Sequence, residues 1–299
     1  MPAWDPEVDV DERLARTLIR THFPTLDWHT LRRIGAGWDN TVWATADGIA
    51  FRFPRREIAI PGVEREIAIL PALAPHLPLA IPEATHVGRP SDLFRWPWFG
   101  SRLITGCELA EARYSEAQRT ALAPLLGLFL RTLHNLPLHL AQALPVDPLR
   151  RADMAVRVPM TREALAEVAT QWAAPGWVGE LLEEAEQLPA AAQIVLVHGD
   201  LHIRHLLVDE ARGLTGVIDW GDTCRAHPCI DLSLYWSLLP PAGRAAFLTA
   251  YGSIEHDELI RARVLALFLC ATLAAYAHAE GMQELEREAI SGLQRAVLY

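Results

Sequence analysis

The stretch Val195–Asp222, VLVHGDLHIRHLLVDEARGLTGVIDWGD, constrains this chain more than any other. The apolar run Val195-Leu196-Val197 stops at His198-Gly199-Asp200, and Leu206-Leu207-Val208, Gly213 and Val217-Ile218 have the pattern of a buried hairpin. Asp200, His205 and Asp219 therefore fall near strand ends and in loops. A lone aspartate at a strand end ordinarily shapes a turn. Three polar groups at this spacing between apolar strands suit phosphoryl transfer, where one carboxylate accepts a hydroxyl proton and other ligands hold divalent metal across nucleotide phosphates.

His198-Gly199-Asp200 followed by Ile218-Asp219-Trp220 resembles the catalytic loop and metal segment of the kinase-like fold. It is more closely similar to aminoglycoside phosphotransferases and their relatives. That resemblance implies an α+β, protein-kinase-like two-lobed fold: a small β-rich N-lobe with one helix over 1–105, and a larger helical C-lobe over 106–299. It implies Asp200 as the catalytic base, Asp219 as a metal ligand, and His198 and Asp231 as structural support for the loop. His205 stands where most of the family carries a metal-binding Asn, and macrolide phosphotransferases resemble the sequence at that position. Magnesium prefers oxygen while manganese accepts nitrogen more readily, so both Mg²⁺ and Mn²⁺ are implied. His202 and Asp222 are candidates for the substrate side, with plain packing and a solvated turn as their ordinary alternatives.

Upstream, Leu31 to Ile34, Gly35 to Trp43 and Ile49 to Phe53 read as a three-stranded meander after an amphipathic opening helix marked by Val10, Leu14 and Leu18. Its first reversal resembles the kinase glycine-rich loop: Gly35, Gly37 and Val42 match, and Asn40 replaces the third glycine, a residue that also tolerates left-handed backbone. Glycines there let backbone N–H groups approach phosphate oxygens. The chain has no lysine, so Arg52 stands where the fold carries its phosphate-binding cation, with Glu66 as its helical partner and Glu64 as the competitor. Two further strands are expected around Ala84 to Val87 and Phe99 to Ile104, and the backbone near Ile104 would bond the purine of ATP or GTP.

Ser115 and Gln118 form a capping box for a helix to about His134. Helical patterns follow at Thr161 to Trp172, Trp177 to Gln187, and in three closing segments to Ala296, where Glu284, Glu286 and Glu288 read as a solvated face. Arg150, Arg151 and Asp153, ahead of the first of these, could touch a substrate, with a plain surface role as their ordinary reading.

A formal charge of −10 argues against a nucleic-acid partner, and the 51% hydrophobic share against disorder. Four cysteines without paired spacing point to free thiols in the cytoplasm. The acidic start, Met1 to Glu12, is unlike a signal peptide, and the apolar run Val264 to Ala277 is too short to span a bilayer, so no membrane partner is expected. The expected partners are a nucleoside triphosphate and a small hydroxyl acceptor: an aminoglycoside, a macrolide, or a metabolic alcohol such as a sugar, choline or homoserine. Two rivals are a zinc hydrolase built on the dense His198, Asp200, His202 and His205, and an inactive kinase-like binding module.

Overall fold

The computed structural model describes residues 6–37 and 39–299; the N-terminal five residues and Trp38 of the glycine-rich stretch lie outside the described residues. The chain divides into two compact units. One holds the chain up to His76 together with Ala80–Ile104 and Trp220–Asp222, and the other holds Leu77–Leu79, Thr105–Asp219 and Thr223–Tyr299.

In the first unit, helix α1 (Glu12–His22) starts at Asp11, whose carboxylate accepts from the Leu14 N–H at 2.7 Å. Strands β1 (Arg32–Ala36), β2 (Asn40–Ala44), β3 (Ile49–Pro54), β4 (His86–Gly88) and β5 (Trp98–Arg102) form an antiparallel sheet in the order β1-β2-β3-β5-β4. Alternation along β3 decides which face is which. Ile49, Phe51 and Phe53 join Trp43, Trp98, Leu18 and Ile19 in one core, where Phe53 stacks on Trp98. Each such buried side chain contributes about 1.5–3 kcal/mol. Gly100 is required there, since a Cβ would lie 2.4 Å from the Phe51 ring. Arg52 points the other way, directly across from Val42 on β2 and Phe99 on β5. Helix α2 (Ile60–Leu73) packs Val63 against Phe99 and so brings Glu66 to Arg52.

The second unit contains two small sheets, β6 (Cys107–Glu108) with β8 (Leu206–Asp209) and β9 (Gly213–Val217), and β7 (Val195–Val197) with β10 (Cys224–Ala226). Strands of two or three residues such as β6 and β10 carry no readable period, and the sequence did not reveal them. The helices are α3 (Glu116–His134), α4 (Met154–Glu167), α5 (Trp177–Glu186), α6 (Ser233–Ser237), α7 (Pro241–Tyr251), α8 (His256–Ala279) and α9 (Gln283–Ala296). The Ser115–Gln118 capping box is present.

Three expectations need correction. Helix α4 begins at Met154, seven residues ahead of Thr161, because Asp153 caps it and Met154, Arg157 and Val158 are buried; Pro159 lies inside it without ending it. Glu288 is no solvated residue: it is buried, with Oε2 2.7 Å from Arg119 and Oε1 2.6 Å from Arg295. The apolar run at Val264 belongs to the 24-residue α8, long and apolar enough to cross a bilayer by length and composition, yet 61% of its most apolar window is buried within the fold.

Candidate active site

The turn after β7 is held by a buried carboxylate. Asp231 accepts from the His198 N–H at 2.8 Å through Oδ2 and from the Gly199 N–H at 3.1 Å through Oδ1, and Oδ2 also lies 3.2 Å from His134 Nε2. Gly199 takes φ +91°, a conformation that side chains with a Cβ rarely adopt. His198 ties the same turn to the end of β9. Its Nδ1 accepts from the Asp200 N–H, which leaves the proton on Nε2 to donate to the Ile218 carbonyl at 3.0 Å. Burial pushes the His198 pKa down, in keeping with a neutral ring in this role.

Asp200 emerges from that clamp with a third of its side chain exposed. His202 Nε2 lies 3.6 Å from its Oδ2, beyond hydrogen-bond length but close enough for its N–H dipole to favour the ionised carboxylate. Burial would raise the Asp200 pKa; His202, His205 and Arg151 outweigh it and hold the carboxyl well below the usual range. His205 donates from Nδ1 to the Asp200 carbonyl at 2.6 Å, so its Nε2 carries the lone pair, and burial keeps the ring neutral by lowering its pKa. That lone pair faces Asp219 Oδ2 at 3.5 Å. Asp219 takes φ +64°, uncommon for a residue with a side chain. Two electron-pair donors in opposition, with the imidazole oriented by its other nitrogen, fit a divalent cation. Asp200, His202 and His205 also offer ligand atoms within 4.8 Å of one another.

The first unit carries a separate cation. Arg52 Nη1 donates to Glu66 Oε1 at 2.9 Å, and the same oxygen accepts from the Trp220 N–H at 3.0 Å. Glu66, fully buried, thus joins the strand cation to the residue that follows Asp219 in the chain. With its amide oxygen turned to Arg52, Asn40 accepts from Nε and Nη2, both at 2.9 Å. Its backbone is not left-handed, so the side chain, and not tolerance of positive φ, explains Asn here. A Cβ at Gly35 or Gly37 would meet nothing within 4 Å among the described residues, so none of these demands glycine at either place. The loop is anchored by Arg56, paired with Asp39, and by Arg55, which donates to the Gly37 carbonyl at 2.7 Å.

Residues 30–265 match the sequence profile described as the phosphotransferase enzyme family. The chain belongs to this family. Wild-type aminoglycoside 2'-phosphotransferase-IIIa, solved as its GDP complex, shares the fold with TM-score 0.71 and 21% identity over 96% of this chain and 98% of that one. Macrolide 2'-phosphotransferase MphH from Brachybacterium faecium, solved as the apoenzyme, gives TM-score 0.59 and 25% identity over 93% and 97% of the two chains. The uncharacterized protein YcbJ of Bacillus subtilis (strain 168) is 38% identical over 56 residues, which span 19% of this chain and 18% of YcbJ. The fold is the kinase-like α+β fold of these phosphotransferases.

Within that family fold, Asp200, His202, His205, Asp219, His198 and Asp231 come together in the second unit, apart only in sequence. Val42, Arg52 and Glu66 come together in the first. Ile104 follows β5, whose neighbour Leu103 donates to the Gly48 carbonyl, and Asp222 sits in the turn after Gly221. Sequence reading missed Asn40 as a holder of Arg52. It also missed Arg65, which donates to the Gly221 carbonyl, and His134 behind Asp231. Only Asn40 left a signal, as a polar residue opening a strand otherwise made of apolar and β-branched ones.

Proposed function

We propose that this protein transfers the γ-phosphoryl group of ATP or GTP to a hydroxyl of a small molecule. The observation that carries the reading is the Asp200 carboxylate, held ionised on a clamped turn, with the His205–Asp219 donor pair one residue contact away. Asp200 orients the acceptor hydroxyl and takes its proton as the oxygen bonds to the γ-phosphorus. The bond from that phosphorus to the β-phosphate oxygen breaks and the nucleoside diphosphate leaves. A base with a low pKa suits this reaction, whose transition state is loose and asks for orientation more than for early proton removal. His205 and Asp219 would hold a divalent metal, Mg²⁺ or Mn²⁺, which neutralises charge on the phosphates. Arg52, fixed by Glu66 and Asn40, steadies the α- and β-phosphates, and Gly35 and Gly37 leave room for phosphate oxygens to approach backbone N–H groups.

Relatives that act on aminoglycosides and macrolides make those two classes the first acceptors to test, followed by sugars, choline and homoserine. His202 and Asp222 are proposed on the acceptor side. Free thiols at all four cysteines support a cytoplasmic setting. The test is nucleotide turnover with each metal and each nucleotide against that panel. Asp200→Ala is expected to lose acceptor-dependent turnover by about 10²-fold or more while still binding nucleotide. Asp219→Ala is expected to weaken metal-nucleotide binding. Equal loss of nucleotide binding in both variants would overturn the assignment.

A further inference from the structure

We propose that Arg55 is a positioning residue for the nucleotide loop: it holds the loop's carbonyl oxygens back, so that the tip between β1 and β2 receives phosphate without their repulsion. This rests on the phosphotransferase reading and deepens its nucleotide site by naming the residue that shapes the loop.

The tip runs from Gly37 to Asn40, with Trp38 outside the described residues. Carbonyl oxygens are strong acceptors with partial negative charge, so a loop that cradles phosphate through its N–H groups needs those oxygens turned to other donors. Arg55 supplies two such donors. Pro54, the last residue of β3, lies opposite Asn40 and has no N–H to give. The next N–H along the chain, that of Arg55, reaches the Asp39 carbonyl at 2.7 Å. The guanidinium of the same residue donates from Nη1 to the Gly37 carbonyl, also at 2.7 Å. Its charge strengthens that bond beyond what a neutral donor would give. The Asn40 carbonyl accepts from the Gly37 N–H at 2.9 Å. Gly37, Asp39 and Asn40, the described residues of the tip, therefore each have their carbonyl engaged. The Asp39 carboxylate, an anion at the tip, accepts from Arg56 Nε at 3.0 Å. Arg55 is itself fixed from behind, since its carbonyl accepts from the Glu7 and Val8 N–H groups at 2.9 and 3.0 Å. Its N–H and side chain are thus committed to the loop, and its carbonyl to the segment ahead of α1. Arg52, three residues earlier, remains the cation assigned to the phosphates; Arg55 acts through the loop.

The experiment measures dissociation constants of nucleoside, nucleoside diphosphate and nucleoside triphosphate, in the adenine and guanine series with magnesium, by calorimetry on the full chain. A residue that only holds the fold together would weaken all three alike. Arg55→Met is expected to weaken the diphosphate and triphosphate by about fivefold or more, the effect of one charge-assisted hydrogen bond, and the nucleoside by less than about twofold. Arg55→Lys, which keeps a charged donor, should recover part of the loss. Should melting curves show that Arg55→Met does not fold, Arg56→Met, which releases the Asp39 carboxylate at the tip, is expected to give the same phosphate-dependent loss, and its absence overturns the proposal. Native affinity for the phosphorylated ligands in folded Arg55→Met, or equal weakening of nucleoside and triphosphate, also overturns it. If the native chain turns over nucleotide alongside such a result, the phosphotransferase reading stands and only the role of Arg55 falls. If the native chain neither binds nor turns over nucleotide, the phosphotransferase reading falls and takes this proposal with it.

Discussion

Replacing Asp231 by Asn keeps the side chain's shape and removes one acceptor. In the native turn, two oxygens meet two backbone donors, His198 N–H at 2.8 Å and Gly199 N–H at 3.1 Å, in a fully buried site. An amide has one oxygen. If that oxygen keeps the His198 N–H, the NH₂ group faces the Gly199 N–H, and a buried donor is left unsatisfied at a cost of about 1–3 kcal/mol. The remaining bond loses its charge assistance, worth about a further 1 kcal/mol. Asp231→Asn should therefore destabilise the second unit by about 2–4 kcal/mol, read as a lower urea midpoint at unchanged slope. The freed turn carries Asp200, so kcat should fall while nucleotide affinity, which the proposed function assigns to Arg52 in the other unit, stays near the native value. Native stability together with native kcat would refute the claim that this carboxylate holds the turn.

Glu288→Ala removes the buried carboxylate that Arg119 and Arg295 share, leaving them only the exposed Glu116, and should cost up to about 3–5 kcal/mol in urea unfolding, whereas Glu286→Ala on the same helix should cost little. His227 caps a short turn by accepting the Cys229 N–H at Nδ1, and burial, with Arg261 and His134, lowers its pKa to about 4 from the usual 6.5; Glu258, 3.8 Å from Nε2, opposes the shift without cancelling it. Since the unfolded chain binds the proton more readily, this contribution is present above about pH 6.5 and is lost as pH falls toward 4, reaching about 3 kcal/mol. His227→Asn keeps an acceptor that does not titrate, so its stability should fall less over that window in acid-unfolding curves. His205→Asn returns an oxygen ligand and should raise the ratio of turnover with magnesium to turnover with manganese; an unchanged ratio would remove His205 from the metal site.

The kinase-like fold was legible because its polar motifs sit at the ends of strongly patterned strands, as at Val195-Leu196-Val197 before His198. The long helices announced themselves through caps and period, as at Ser115. Two features misled. The helical pattern read from Thr161 starts too late, because the Asp153 cap and the burial of Met154 and Val158 begin α4 seven residues earlier, with Pro159 inside it. Three glutamates at alternate positions looked alike, yet Glu288, one turn further along α9 than Glu284, meets Arg119 and Arg295 and is buried, while Glu284 and Glu286 pair at the surface with Arg113 and His278.

What the sequence determined by itself is the set of chemical groups and their order along the chain: Gly35 and Gly37, then Arg52, Glu66, Asp200, His205 and Asp219, with no lysine to stand in for any of them. What only the tertiary structure decided is which atoms of those groups are available. The proton of His205 is placed by the Asp200 carbonyl, that of His198 by the Ile218 carbonyl, and the orientation of Arg52 by Asn40 and Glu66. That Arg157 Nε has no hydrogen-bond partner among the described residues is likewise a fact of packing. Residue type fixes what a side chain can donate or accept. Tautomer, ionisation and unmet charge depend on the neighbours that burial brings within a few ångströms, and those neighbours come from parts of the chain far apart in sequence.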